Sequence, residues 1–259
     1  MYKTGNDIRK AIKDQTWTCP TSGEAPGFVQ ANLVILPRDW AYDFLLFAQR
    51  NPKPCPILEV GETGDPSTRI LAENGDIRTD IPKYIVYKDG KNTGEVTDIS
   101  TLWQDDFVYF LLGCSFSFEQ ALLSAGLEVR NITEGRNVPM YISNIMCRDA
   151  GRFKEVPMVV SMRPFTPSDA ERAAEITREY PAVHGKPVQI GSPEKIGIKN
   201  LNQPDFGDAV TLREGEIPVF WACGVTPQMA VMQAKPPLVI SHAPGHMFVG
   251  DLKDLDFKI

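Results

Sequence analysis

The sequence lacks several features that would point to common functional classes. It has no block of five or more like charges, and its 27 Lys and Arg residues are outnumbered by 33 Asp and Glu residues, for a net charge of −6. A nucleic-acid-binding protein usually carries a basic stripe, so that class is not expected. No apolar run reaches the roughly 18 residues of a membrane span, and the first thirty residues contain no apolar core of signal-peptide length. These absences predict a cytoplasmic protein that binds neither nucleic acid nor membrane.

Cysteine and phosphate-binding motifs are also sparse. The five cysteines, an odd number, are widely spaced and include no CxxC pair, which argues against a disulfide framework or a zinc ribbon. There is no GxGxxG after a predicted strand, no GxxxxGK[ST] and no GxSxG. The usual dinucleotide, P-loop and hydrolase interpretations are therefore not favoured.

What the sequence does contain is alternating apolar strands and amphipathic helices, which predicts an α/β fold. The strand Leu33–Leu36 is followed by a helix over 40–50 and by the apolar stretch Ile57–Val60. Two short strands that flank a helix suggest parallel pairing. The same order recurs at 158–190, where a strand, a helix over 168–178 and a second strand follow one another.

A second pair of segments matches without a gap around cysteine. An apolar strand at 107–112 enters Gly113-Cys114-Ser115, and another at 217–221 enters Ala222-Cys223-Gly224. Ser117 and Thr226 occupy equivalent places and are predicted N-caps of the helices that follow. We therefore predict an internal duplication, with two β-α-β…β-α-β halves forming a three-layer core. The alternative is that any α/β protein shows such patterns.

The predicted division of the chain follows from these repeats. Residues 1–60, 107–130, 158–190 and 217–259 form the duplicated α/β core. Residues 61–106, 131–157 and 191–216 are poor in periodic signals and form a smaller α+β part, with a β-hairpin near Tyr84–Tyr87.

The two strand–cysteine–helix turns are the first candidates for a binding site. A helix N-terminus offers free N–H groups and a positive dipole end, which together attract anions. The predicted substrate-binding residues come from three places. The turns contribute Gly113, Ser115, Ser117, Gly224 and Thr226. Arg38 and Arg163 could clamp a carboxylate, and the polar loop at 134–141 adds Arg136 and Asn137. The alternative is that the small residues serve only helix–strand packing. Gln30 and Asn32, beside the first core strand, need be no more than a polar strand edge.

Three residues are candidates for catalysis. Cys114 precedes a helix N-terminus, which lowers a thiol pKa, although small buried cysteines are common in protein cores. His242 and His246 are candidate acids or bases because imidazole titrates near neutral pH. Pro244 and Gly245 between them make a turn, so the two histidines do not form a helical metal pair, and no metal or other cofactor is predicted.

Long motifs spread over the whole chain resemble one known family. They are QANLVILP (30–37), NPKPCPILEV (51–60), FLLGCSFSFEQAL (110–122), EGRNVPMY (134–141), VVSMRP (159–164), YPAVHGKPVQIG (180–191), FWACGVTPQ (220–228) and SHAPGHMF (241–248). On these motifs the chain resembles the bacterial "putative hydro-lyase" family, which is related to the N-terminal domain of vertebrate mitochondrial D-glutamate cyclase. The resemblance implies a lyase that removes water from a small carboxylic acid; it assigns no catalytic residues.

The sequence therefore predicts a hydro-lyase that acts on a small amino or hydroxy acid, with water loss like that of D-glutamate cyclase. Two alternatives stay open: a non-catalytic carboxylate-binding module, and a hydrolase that opens a lactam such as 5-oxoproline. The expected partner is the small carboxylate substrate, and self-association into a homo-oligomer is left open.

Overall fold

The computed structural model describes residues 2–259, and within them the chain forms two antiparallel β-sheets and six α-helices. The helices are α1 (Gly5–Lys13), α2 (Arg38–Arg50), α3 (Phe116–Ser124), α4 (Arg130–Thr133), α5 (Pro167–Arg178) and α6 (Val225–Ala234). The strands are β1 (Phe28–Pro37), β2 (Ile57–Val60), β3 (Tyr84–Lys88), β4 (Lys91–Val96), β5 (Phe107–Gly113), β6 (Met140–Met146), β7 (Pro157–Phe165), β8 (Gln189–Ile190), β9 (Ile217–Ala222), β10 (Leu238–His242) and β11 (Phe248–Lys253). The mixed α/β class predicted from the sequence is confirmed.

The first sheet has the order β2-β5-β1-β10-β3-β4, with β11 also paired to β1, and the second has the order β6-β7-β9-β8. The prediction of directly paired parallel strands is wrong. β1 and β2 flank a helix and run in the same direction, but β5 lies between them and is antiparallel to both. β7 and β8 flank β9 in the same manner. The internal duplication of the sequence stays a prediction.

Alternate residues of the central strands face two different apolar clusters, which is why these strands read as continuous apolar runs. In β1, Val34 and Leu36 join the largest cluster, which lies between the sheets, whereas Leu33 and Ile35 face a second cluster formed with residues of 71–111. α2 and α6 contribute to the largest cluster, and α3 and α5 cover the outer face of the second sheet. The sheets are therefore buried on both faces.

The segments assigned to a smaller α+β part contribute to both sheets. The predicted hairpin is confirmed as β3–β4, and it joins the first sheet through β10. β6 joins the second sheet through β7. The proposed domain boundaries stay a prediction. No helix among residues 2–259 is long and apolar enough to cross a membrane.

The predicted N-caps are displaced by two residues. α3 begins at Phe116 with Ser115 at the N-cap, and α6 begins at Val225 with Gly224 at the N-cap. Ser117 and Thr226 lie inside the helices, and their hydroxyls accept backbone N–H groups of β1 and β7 instead of capping. The predicted capping role is wrong because each hydroxyl joins its helix to a neighbouring strand.

A buried ion pair fixes α3 on the second sheet. The strand before α3 belongs to the first sheet, yet Phe118 and Leu122 of α3 pack against α5 and Trp221. Glu119 of α3 accepts hydrogen bonds from Arg163 of β7, and both side chains are almost wholly inaccessible to solvent. Burial raises the pKa of Glu119, and the adjacent guanidinium opposes that shift. Neither charge has water to solvate it, so each depends on the other.

Replacing Glu119 by alanine should therefore be strongly destabilising, because Arg163 would stay buried without a counter-charge. We expect Glu119→Ala to lower the free energy of unfolding by about 3–5 kcal/mol in urea denaturation. Glu175→Ala, which removes an exposed ion pair with Arg178, is the control. It should change the free energy of unfolding by less than about 0.5 kcal/mol. Equal losses in the two variants would contradict a structural role for the buried pair.

Candidate functional site

The turns after β5 and β9 meet at one small cavity of about 30 Å³ between the two sheets. Its lining includes both turns and a segment after β10. The lining residues are Asn32, Cys114, Ser115, Phe116, Asn137, Val138, Met140, Cys223, Gly224, Val225, His242, Pro244, Gly245 and Met247. The structure thus brings two helix N-termini, α3 and α6, to a shared site. In this state the cavity has room for about one water molecule.

Equivalent contacts hold the two turns. Ala31 of β1 pairs with Gly113, and Val160 of β7 pairs with Ala222, so each turn leaves its sheet at a matching register. The Ser117 hydroxyl accepts the N–H of Gln30 at 3.1 Å. The Thr226 hydroxyl accepts the N–H of Val159 at 3.0 Å. Neither Ser117 nor Thr226 lines the cavity, so both act here as anchors of the helix ends.

The two glycines of the turns are required by close packing. A Cβ atom on Gly113 would lie 2.2 Å from the carbonyl oxygen of Ala182. A Cβ atom on Gly224 would lie 2.1 Å from Nδ2 of Asn32. Both distances are far below van der Waals contact, so a larger side chain would displace the backbone of Ala182 at Gly113 or the side chain of Asn32 at Gly224. Gly224 lines the cavity itself, and Gly113 precedes Cys114, which lines it.

Asn32 is the residue that joins the two turns, and the sequence analysis did not select it. Its Nδ2 donates to the carbonyl oxygen of Gly113 at 2.8 Å, and its side chain packs against Gly224. A polar residue inside the apolar strand Ala31–Leu36 was the available signal, because buried polar side chains need specific partners.

His242 lines the cavity in a defined protonation state. Its Nδ1 lies 3.0 Å from the backbone nitrogen of Leu33 and 3.3 Å from the carbonyl oxygen of Leu33. The shorter contact is with the N–H, which can only donate, so we assign the lone pair to Nδ1 and the proton of the neutral ring to Nε2. Burial lowers the pKa of His242 to about 4, against a weaker opposing effect of the Leu33 backbone. At neutral pH, His242 is therefore an uncharged hydrogen-bond donor rather than an imidazolium.

His246, the other histidine predicted to be catalytic, does not line the cavity. Its Nδ1 contacts the carbonyl oxygen of Pro244 at 2.9 Å. Burial lowers its pKa, and Lys83 and Glu95 are among the charges that act on it. The structure thus separates the two histidines, with His242 inside the cavity and His246 on the far side of the turn that joins them.

The cysteines at the cavity are protonated thiols. Burial raises the pKa of Cys114 far above its ordinary value and that of Cys223 to about 11. In both cases the backbone N–H groups of the helix end lower the pKa by less than burial raises it. A nucleophilic role for Cys114 needs a thiolate, and this environment disfavours one. Among residues 2–259 no three His, Cys, Asp or Glu side chains are placed to hold a metal ion.

The structure does not bring the predicted arginines to the cavity. Arg38 begins α2 at the opposite end of β1, six residues beyond Asn32 and so roughly 20 Å away along the strand. Arg136 is exposed and lies against Glu134 and the carbonyl oxygen of Ala209. Arg163 lies closer, but it is wholly buried behind Ser115 and is engaged by Glu119.

Asn137, in contrast, lines the cavity. Its Oδ1 accepts the backbone N–H of Val138 at 3.0 Å, which leaves the Nδ2 amide group for another partner. Together with Ser115 and the Nε2–H of His242, it makes the cavity rich in hydrogen-bond donors. No Asp, Glu, Lys or Arg is among the lining residues. Such a site suits an anion or a carbonyl oxygen held by neutral dipoles.

The state of His242 has a consequence for stability. The unfolded histidine binds a proton below about pH 6.5, whereas folded His242 does so only below about 4, so stability should fall as the pH is lowered from 6.5 to 4. Burial lowers the pKa of His184 to about 4 as well, so His184 also makes the folded state less stable as the pH falls. In urea denaturation at several pH values, the free energy of unfolding of His242→Gln should therefore fall less than that of the wild type between pH 6.5 and 5. Most carboxylates titrate below this pH range. Identical slopes would show that His242 is not held neutral.

Comparisons with known proteins place the chain in a family. The profile of the D-glutamate cyclase family matches residues 108–251, which include both turns of the cavity. A protein of Bacillus licheniformis named "Putative hydro-lyase" is 59% identical over 254 residues, covering 98% of this chain and 97% of the relative. Proteins of the same name from Natranaerobius thermophilus and Rubrobacter xylanophilus are 57% and 56% identical, over 97% and 98% of this chain and 96% and 97% of their own lengths.

Among solved structures, a nitrogen repressor-like protein from Methanococcus jannaschii matches with a TM-score of 0.37 and 10% identity, covering 95% of this chain and 98% of that one. The family rests on the sequence relatives, whose identity extends over nearly the full chain. With this identity and a family profile that matches more than half of its residues, the chain belongs to the D-glutamate cyclase family, together with the bacterial proteins named putative hydro-lyases.

Proposed function

We propose that this protein is a lyase that removes water from a small carboxylic acid bound in the cavity between the two turns. The observation that carries the proposal is the convergence of the α3 and α6 N-termini with His242 on one donor-rich, uncharged cavity. Positive helix ends stabilise a carboxylate. The names of the relatives, hydro-lyase and D-glutamate cyclase, describe reactions in which water leaves.

In this proposal His242 acts on the leaving oxygen. With glutamate, the amino nitrogen bonds to the γ-carboxylate carbon, one C–O bond of that carboxylate breaks, and the oxygen departs as water with two protons given up by the ammonium group. With a hydroxy acid, the C–O bond and a neighbouring C–H bond break, a C=C bond forms, and the hydroxyl and the proton leave as water. In both cases the Nε2–H of His242 donates a hydrogen bond to the departing oxygen. A neutral imidazole is suited to this task because it stabilises developing negative charge without first giving up a proton. The Nδ1 bond to the backbone of Leu33 fixes which nitrogen carries that proton.

Substrate entry requires the cavity to widen, because its present volume of about 30 Å³ is too small for any carboxylic acid. Closure around the bound acid would exclude water and strengthen each dipole that contacts it. The apolar walls, which include Phe116, Met140 and Met247, support that exclusion.

Product analysis separates the proposal from its alternatives. Pure protein incubated with D-glutamate or with hydroxy acids should convert one of them to a product lighter by one water molecule. A product heavier by one water from 5-oxoproline would favour the lactam hydrolase. Thermal stabilisation by a carboxylate with no product would favour the non-catalytic binding module. The absence of both a product and stabilisation would exclude the proposed site.

Substitution of the two histidines tests which one takes part. We expect His242→Gln to reduce turnover by about 10²-fold or more, because the donor to the leaving oxygen is lost. His246→Gln is the matched control, since His246 is buried in the same turn but lies outside the cavity, and its turnover should stay within about threefold of the wild type. Turnover that depends on His246 and not on His242 would contradict this assignment.

A further inference from the structure

Ser115 lines the cavity, and its hydroxyl accepts a hydrogen bond from the charged guanidinium of Arg163. It occupies the N-cap position of α3 and is only 4% exposed. Its Oγ lies 3.0 Å from Nη2 of Arg163, which donates to it. Arginine has five N–H donors and no acceptor, so Ser115 can only accept in this bond.

The proton of Ser115 is therefore left for another partner. A serine hydroxyl has one donor and two acceptor lone pairs, and the bond from Arg163 uses a lone pair. Among residues 2–259 the structure gives the Ser115 proton no protein acceptor. The Nδ2 amide of Asn137 and the Nε2–H of His242 belong to residues of the same lining and are donors as well. A bound molecule that carries acceptor oxygens would satisfy all three.

Arg163 cannot turn toward the cavity to bind that molecule itself. Its Nε and Nη2 donate to Glu119, and its Nη1 donates to Ser161 at 3.1 Å. The rings of Phe118 and Trp221 lie 5.4 and 5.6 Å from its guanidinium carbon. The guanidinium is thus held in place on several sides, and its position relative to Ser115 does not depend on ligand.

We infer that Ser115 binds a carboxylate oxygen of the substrate, and that Arg163 and Glu119 are positioning residues that turn the Ser115 proton toward it. A carboxylate is the expected class because it only accepts hydrogen bonds, and three lining residues have donor groups while none has an acidic side chain. The inference rests on the proposed function and refines it. Arg163, which the sequence analysis took for a substrate clamp, then acts on the substrate through serine.

Ser161 provides a matched control. It is wholly buried and its hydroxyl accepts from the same guanidinium, but it does not line the cavity. Ser115→Ala and Ser161→Ala each remove one hydrogen bond of Arg163, so they should cost similar stability. Only Ser115→Ala removes a donor to the ligand.

The test measures binding of D-glutamate, 5-oxoproline and malate to the full chain by calorimetry. For whichever probe binds the wild type, Ser115→Ala should weaken binding by about 10- to 100-fold, the usual effect of losing a hydrogen bond to a charged group. Ser161→Ala should stay within about twofold. Equal affinities of Ser115→Ala and wild type would overturn the inference and leave the proposed function standing, whereas failure of every probe to bind the wild type would overturn both.

The role of Arg163 is tested in a background where its charge is removed together with that of Glu119. The double variant Arg163→Gln/Glu119→Gln leaves no buried unpaired charge, which favours folding. If Arg163 acts through Ser115, this variant should bind the probe more weakly, and adding Ser115→Ala should change affinity by no more than about twofold. A further tenfold loss on adding Ser115→Ala would show that Ser115 works independently of the pair and would overturn the positioning role.

Discussion

The buried contact between Glu119 and Arg163 is the interaction on which the candidate site depends. It fixes α3, which follows a strand of the first sheet, to the face of the second sheet. That crossing places the turn after β5 against the turn after β9 and so creates the cavity between them. Two opposite charges with no access to water keep this geometry, because either one alone would be strongly unfavourable.

The chemistry of the cavity follows from burial more than from any ionised group. Cys114 and Cys223 stay thiols and His242 stays neutral, because a charged form of each would lose its hydration without a paired counter-ion. What the cavity presents is a set of oriented dipoles, consisting of helix ends, an amide, a hydroxyl and an imidazole N–H. In a site of low dielectric, such dipoles act strongly on an anion and need no rearrangement during the reaction.

Part of this site could be predicted from the sequence and part could not. The ungapped match around Cys114 and Cys223 selected the two turns that line the cavity, because a strand, a small-residue turn and a helix form a local pattern. The arginines were harder to place. Arg38 and Arg163 each follow apolar strand residues, yet one begins a helix at the far end of β1 and the other lies inside β7. Their surroundings depend on which strands pair, and periodicity does not encode pairing.

Asn32 and the two histidines show the same division. Asn32 was visible as a polar residue in an apolar strand, but its contact with both turns joins parts of the chain about 80 and 190 residues apart. His242 and His246 could not be separated by sequence, since only the direction in which each ring faces distinguishes them.

By itself, the sequence determined the α/β class, the family and the two turns that form the site, because apolar periodicity, small residues and long motifs are local properties of the chain. Only the tertiary structure decided that the strands are antiparallel, that Arg163 is held by Glu119 and that His242 rather than His246 lines the cavity. Each of these depends on contacts between distant segments, and burial in those contacts sets the protonation states of Cys114, Cys223 and His242.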